Sequence, residues 1–251
     1  MNLTTLLSKI ERNNPLDFGD IFSKAIDLFK KVWVQGLLLL IASMILVLPV
    51  FLIIYVPLIG AAAANSQGAE VPPEFPIGIM LLLIPIIIII QTIGLGLMAG
   101  FYKMVRKRDK DEEAKVSDLL FYLKKEYFGK LFVLALIVLG IAILATLACY
   151  LPVFYVMVPL SFVSVIFAFN PELQPKEIIK ACFKLGNKKW LITFGLIIIS
   201  GLLAEIVGLL LCGIGILFTA SFSYLPVYLI YKETVGFEDE DEIGQIGEEE
   251  I

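Results

Sequence analysis

One acidic side chain stands inside an otherwise uncharged run: Glu205, between Trp190 and Tyr231. An ionised carboxylate at the centre of a membrane costs about 2.5–3.5 kcal/mol on insertion scales. No basic residue falls at the same depth to pair with it. Three roles suit such a group: a proton- or ion-coupling site, an interhelical hydrogen bond, or a water-facing position at the outer surface. Gly201, Gly208 and Cys212 share its helical face. Small residues let helices approach closely, so Glu205 is expected to face protein. Folding 190–231 as a hairpin centred near Gly213 puts residues whose numbers sum to about 426 at equal depth. That pairs Glu205 with Ser221 and leaves Thr219 and Ser223 within about one turn. These four residues form the candidate intramembrane polar site. Gln91 lies too far below the outer surface to join them.

Other chemistry is scarce. Histidine is absent, which excludes His-based zinc sites, Ser-His-Asp triads and four-His iron centres. Cys149, Cys182 and Cys212 form no CxxC pair and read as small apolar fillers. Gly94-x-Gly96 is not a nucleotide loop, because no strand precedes it and it lies within an apolar run. Gly96 and Gly100, four apart, read as a helix-packing face, as do Gly201 and Gly208. Arg106, Lys107 and Arg108 suit lipid headgroups better than nucleic acid, since Asp109, Asp111, Glu112 and Glu113 follow at once. No catalytic residue, metal site or cofactor is expected.

The elements that position these residues follow from hydrophobicity. The chain has 251 residues, 59% of them hydrophobic, with a mean hydropathy of +0.91. A soluble core of this length cannot hide so much apolar surface. Uncharged runs extend over Val32–Ala69, Ile77–Tyr102, Leu131–Pro171 and, Glu205 apart, Trp190–Tyr231. As one helix, Leu131–Pro171 would measure roughly 60 Å, twice the ~30 Å hydrocarbon core. It must fold back, with the corner at Tyr150-Leu151-Pro152. Cys212 to Gly215 is the matching corner of the last run. The reading is an all-α integral membrane protein with six spans in three pairs. They lie near 32–59, 77–102, 131–149, 153–169, 190–211 and 214–231. All 20 Lys and Arg then fall on one side, and the opposite connections hold only Glu70 and Glu74. The positive-inside rule makes the basic side cytoplasmic, with both termini there. A bacterial inner membrane is the expected location.

Each pair is expected to follow an amphipathic interfacial helix. In the first, Ile21, Phe22, Ala25, Leu28 and Phe29 oppose Asp20, Lys24, Asp27 and Lys31. The middle one uses Leu119, Leu120, Tyr122 and Leu123, after Ser117 or Asp118 as N-cap. In the last, Ile178, Ile179, Cys182 and Leu185 oppose Glu177, Lys180, Lys184 and Lys188. A repeat at an offset of 157 residues relates Asp20, Ile21, Leu28, Lys31 and Trp33 to Glu177, Ile178, Leu185, Lys188 and Trp190. Residues 1–31 thus form a cytoplasmic segment and 32–232 the membrane domain. Residues 233–251 form an acidic tail with eight carboxylates between Glu238 and Glu250, expected to stay solvated. Residues 60–76 form an outer loop stiffened by Pro72, Pro73 and Pro76.

The stretch VPLSFVSVIFAFNPELQPKEIIKACFKLGNKKWLITFGLI (Val158–Ile197) has a span end, a short helix opening on an acidic residue, and a Lys-Trp pair leading into the next span. With SYLPVYLIYKE (Ser223–Glu233), it resembles a broad group of uncharacterised bacterial polytopic membrane proteins. These are related to the membrane domain that precedes some glycerophosphodiester phosphodiesterases. The resemblance implies a six-helix fold and no known activity. The expected role is a non-enzymatic scaffold, assembly factor or lipid-associated protein. Its partners would be membrane lipids, another membrane protein or a ligand of the acidic tail. The alternative is a small secondary transporter or channel that uses Glu205 for coupling.

The topology has a direct test. A membrane-impermeant thiol reagent added outside should label single cysteines placed at 65–75. It should fail at 107–115 and beyond 240. Labelling at 107–115 would overturn the orientation.

Overall fold

The computed structural model describes residues 1–12, 15–66, 74–148, 150–211 and 213–237, without the side chains of 64–66 and 74–82. All regular structure among them is helical. In chain order come α1 (Leu3–Glu11), α2 (Phe18–Ser66), α3 (Glu74–Asp109) and α4 (Val116–Leu119). A 3₁₀ turn (Phe121–Leu123) leads to α5 (Lys125–Leu147), α6 (Leu151–Ser161), α7 (Val163–Phe169) and α8 (Pro175–Lys188). Then follow α9 (Trp190–Leu210), α10 (Ile216–Thr219), a second 3₁₀ segment (Ala220–Tyr224) and α11 (Leu225–Val235).

Five helical segments are long and apolar enough to cross a membrane: Phe18–Ala63, Leu83–Asp109, Lys125–Leu147, Leu151–Phe169 and Trp190–Leu210. The last expected span is differently built. Residues 216–235 remain helical but change geometry twice, passing from α10 through 3₁₀ to α11. Two local causes act there. Pro226 has no N–H to return to the Phe222 carbonyl. Thr219 Oγ1 donates to its own Gly215 carbonyl at 3.1 Å and across to Ala204 O at 2.7 Å.

The first amphipathic segment is not a separate interfacial helix. Residues 20–35 contain neither Gly nor Pro, and nothing ends the helix between Lys31 and Val32. The 49 residues of α2 form one helix about 73 Å long at 1.5 Å per residue, running through Pro49 and Pro57. The outer loop is correspondingly shorter than 60–76: α2 reaches Ser66 and α3 begins at Glu74, while 67–73 lie outside the described residues. By contrast α8 is a distinct helix that stops before Lys189. The middle elbow is reduced to α4 and a 3₁₀ turn, and its N-cap is Lys115, not Ser117 or Asp118.

The apolar faces point where the pattern demands. Ile21, Ala25, Leu28 and Val32 are buried, as are Ile178, Ala181, Cys182 and Leu185, and Leu119 with Tyr122. They pack on protein: α8 touches α1, α5, α6 and α7, and the start of α2 meets α11. Leu6 and Ile10 of α1 are also fully buried, against α8 and α11.

Glycine sets the closest approaches. At Gly100 an added Cβ would lie 2.0 Å from the Leu119 carbonyl oxygen, and at Gly96 2.6 Å from Leu123 Cδ2. The Gly96/Gly100 face therefore receives the α4 elbow. Gly208 receives Ile216, whose backbone nitrogen would be 2.8 Å from a Cβ. Gly201 meets nothing within 4 Å, so the expected packing role is not found there.

Gly100→Ala should destabilise the protein by about 1–3 kcal/mol, because the Leu119 backbone cannot yield as a flexible side chain would. Gly201→Ala should be neutral or stabilising by about 0.5–1 kcal/mol through helix propensity. Unfolding in a detergent titration reads both. Equal responses of the two variants would refute this assignment.

Candidate functional site

The helical stripe that α9 buries is Thr193, Leu196, Ser200, Ala204 and Gly208. Glu205 sits about 100° round from Ala204 and is exposed, beside exposed Leu202, Ile206 and Leu209. The expected partners are engaged elsewhere. Thr219 bonds to Ala204 O and Gly215 O, and Ser223 Oγ donates to Ala220 O at 2.9 Å. Ser221 is buried against α2, where a Cβ on Gly36 would come within 1.9 Å of its Oγ, and that Oγ has no hydrogen-bond partner among the described residues. The structure turns the three hydroxyl residues to different neighbours, Thr219 to α9, Ser221 to α2 and Ser223 to the side of α6 and α7, and leaves Glu205 exposed. The expectation that Glu205 faces protein is corrected: the buried stripe runs from Thr193 to Gly208, and Glu205 lies outside it.

Polar groups converge instead at the basic ends of the helices. Asp109, at the end of α3, accepts from Lys232 Nζ at 2.7 Å and from the Tyr228 hydroxyl at 2.8 Å, both on α11. Lys24 of α2 pairs with Glu233 of α11 at 2.8 Å, and Lys31 with Asp111 at 2.7 Å. Lys107 reaches both oxygens of Asp118 at 2.8 Å, while the Lys115 amide donates to Oδ2 at 2.9 Å. Asn170 is fully buried at the end of α7. Its Nδ2 donates to Ile166 O at 3.0 Å and to the Tyr231 hydroxyl at 2.8 Å, leaving Oδ1 without a partner among the described residues. Phe237 closes this end, packed on Phe169 and Tyr231, with the Arg106 guanidinium 3.6 Å from its ring centre. At α1 the terminal ammonium meets Glu172 at 2.6 Å, and Lys184 meets Glu11 at 2.8 Å.

Ion pairing tunes several of these groups. Burial opposes ionisation of Asp118, but hydrogen bonds from Lys107 and the Lys115 amide outweigh it, and the carboxyl lies below its ordinary value. Hydrogen bonds from Lys31 and Lys184 likewise lower Asp111 and Glu11. Burial pushes the Cys182 thiol well up, so it stays protonated inside the core. Cys149, Cys212 and the tail from 238 onward lie outside the described residues.

The charge network was only partly foreseeable. The basic cluster at 106–108 pointed to the membrane surface. Nothing in local spacing identified Asp109 as the acceptor shared by Tyr228 and Lys232, which lie 119 and 123 residues away. Comparison of the chain with protein-family models, with curated proteins and with solved structures yields no match.

The Asp118 pairing predicts a pH dependence. A carboxyl lowered in the folded state stabilises above its unfolded value of about 3.9, and the contribution is lost as pH falls through the lower folded value. Asp118→Asn should therefore cost about 1–3 kcal/mol at pH 7. The difference from the parent should shrink on acidification below about pH 4. A cost that persists undiminished at low pH would point to packing instead of charge.

Proposed function

We propose that the chain is a six-span, non-enzymatic inner-membrane protein acting as a scaffold, assembly factor or lipid-associated component. In this reading the broken run from Ile216 to Val235 makes the sixth crossing, and α8 and the α4 elbow lie at the cytoplasmic surface. Both termini are cytoplasmic, because that places every Lys and Arg on the inner side. The resemblance of Val158–Ile197 to uncharacterised bacterial membrane proteins supports the same layout.

The observation that carries the reading is the disposition of the carboxylates. Asp109 and Asp118, the two least exposed in the ion pairs described above, are each held by a lysine and a further donor. They tie elements together and are not free to act as a base. Glu205, which a coupled transporter would need in a polar passage, faces outward among Leu202, Ile206 and Leu209. A large apolar surface on α2, including Met44, Leu48, Phe51 and Tyr55, is exposed and suits lipid or another membrane protein.

Purification from native membranes under mild detergent, with mass spectrometry of what accompanies the protein, tests the proposal. The expected result is a reproducible protein or lipid companion at near-stoichiometric yield. Reconstituted vesicles should show no proton-coupled flux, and Glu205→Gln should leave any cellular phenotype unchanged. A flux that Glu205→Gln abolishes in a well-folded protein would replace this reading with the transporter.

A further inference from the structure

Two membrane segments are interrupted, and both interruptions face one cavity. The first lies at Phe162, between α6 and α7. The second is the 3₁₀ segment Ala220–Tyr224. Irregular backbone at membrane depth is tolerated where it is covered by protein or lines a cavity. Here it lines a cavity of about 250 Å³ between α3, α6, α7, α9 and the final helical run.

Five residues with hydroxyl side chains line this cavity: Tyr102, Ser161, Ser164, Ser223 and Tyr224. Ser161 Oγ donates to Val158 O at 2.7 Å and Ser223 Oγ to Ala220 O at 2.9 Å, so each presents its oxygen as an acceptor. Tyr102 makes a long 3.4 Å bond to Tyr224 O. Ser164 is 7% exposed, and no hydrogen bond is found for it among the described residues. Its hydroxyl is therefore available to donate to and accept from an occupant of the cavity. The remaining wall is apolar: Met98, Met157, Leu160, Ile197 and Val227. No Lys, Arg, Asp or Glu lines it.

We infer that this cavity is a binding site for an uncharged amphiphile with a hydroxyl head and a short apolar body. The hydroxyl head would exchange hydrogen bonds with Ser164, Ser161 and Ser223. The apolar body would lie along Met98, Met157 and Ile197. A few convergent polar groups in an apolar cavity is the ordinary design of a small-molecule site. Charge is excluded because an ion would lose its hydration with no counter-charge in the wall. The cavity is many times the ~10–15 Å³ that admits one water, which leaves room for a short alkyl chain with its head group. The site does not depend on the scaffold reading: a scaffold without it, or the site in another kind of membrane protein, are both coherent.

The probe is an octanol carrying a photoreactive diazirine, applied to the intact purified protein, with adducts mapped by mass spectrometry. Adducts are expected at Met98, Met157 or Tyr224, and octan-1-ol should compete where octane and octanoate do not. Ser164→Ala should lower labelling about fivefold, the worth of one hydrogen bond, and Ser164→Thr should retain it. Adducts spread over the exposed faces of α2 and α9 without competition would overturn the site. So would octane competing as well as octan-1-ol, or Ser164→Ala labelling as strongly as the parent in a protein that melts normally.

Discussion

Hydrocarbon cannot solvate charge, and every backbone N–H and C=O within it must find a partner in the protein. Most of this molecule follows from that constraint. Twenty basic residues are kept clear of the apolar runs, and the helices that carry those runs satisfy their own backbone. Charged groups are therefore concentrated at one end of the bundle. There they meet one another across elements far apart in sequence, as Lys24 does with Glu233 and Lys107 with Asp118. In water an exposed pair contributes little. Where Asp109 and Asp118 are partly covered and each receives a second hydrogen bond, the pairing fixes how α3, α11 and the α4 elbow sit together.

The same constraint explains where the helices break. Pro159 cannot return a hydrogen bond to Tyr155, and the Tyr155 carbonyl is instead taken by the Trp190 indole at 3.1 Å. Tyr122 donates to the Ala168 carbonyl near the end of α7, and Tyr102 reaches Tyr224 O beside the second interruption. Aromatic residues thus serve twice. Their rings fill the core around Phe169, Tyr228 and Phe237, and their hydroxyls reach backbone carbonyls of neighbouring elements.

Amphipathic segments at the cytoplasmic side share one recipe and reach different outcomes. Ile21, Ala25 and Leu28 are buried as Ile178, Cys182 and Leu185 are, which gives the 157-residue repeat a structural counterpart. Yet the first segment runs on into its span, while α8 stops at Lys189. The difference is one of helix termination. The run from Asp20 to Gln35 has no residue that favours stopping. At the end of α8, Gly186 packs directly on the backbone of Pro159, where a Cβ would be 2.6 Å from Cα.

Composition and charge determined the all-helical class, the apolar segments and the side on which the basic residues gather. These depend on transfer free energies that act residue by residue, so they can be read without knowing any neighbour. Helical period also carried the buried faces of α2 and α8. Which face Glu205 takes was decided by packing: Ala204 and Gly208 fit the final helical run closely, and Glu205 is turned outward as a consequence. The meeting of Asp109 with Tyr228 and Lys232, and of Ser161 and Ser164 with Ser223, likewise belongs to the tertiary structure. Those groups are brought together by the crossing of helices whose separation in sequence leaves no local pattern to read.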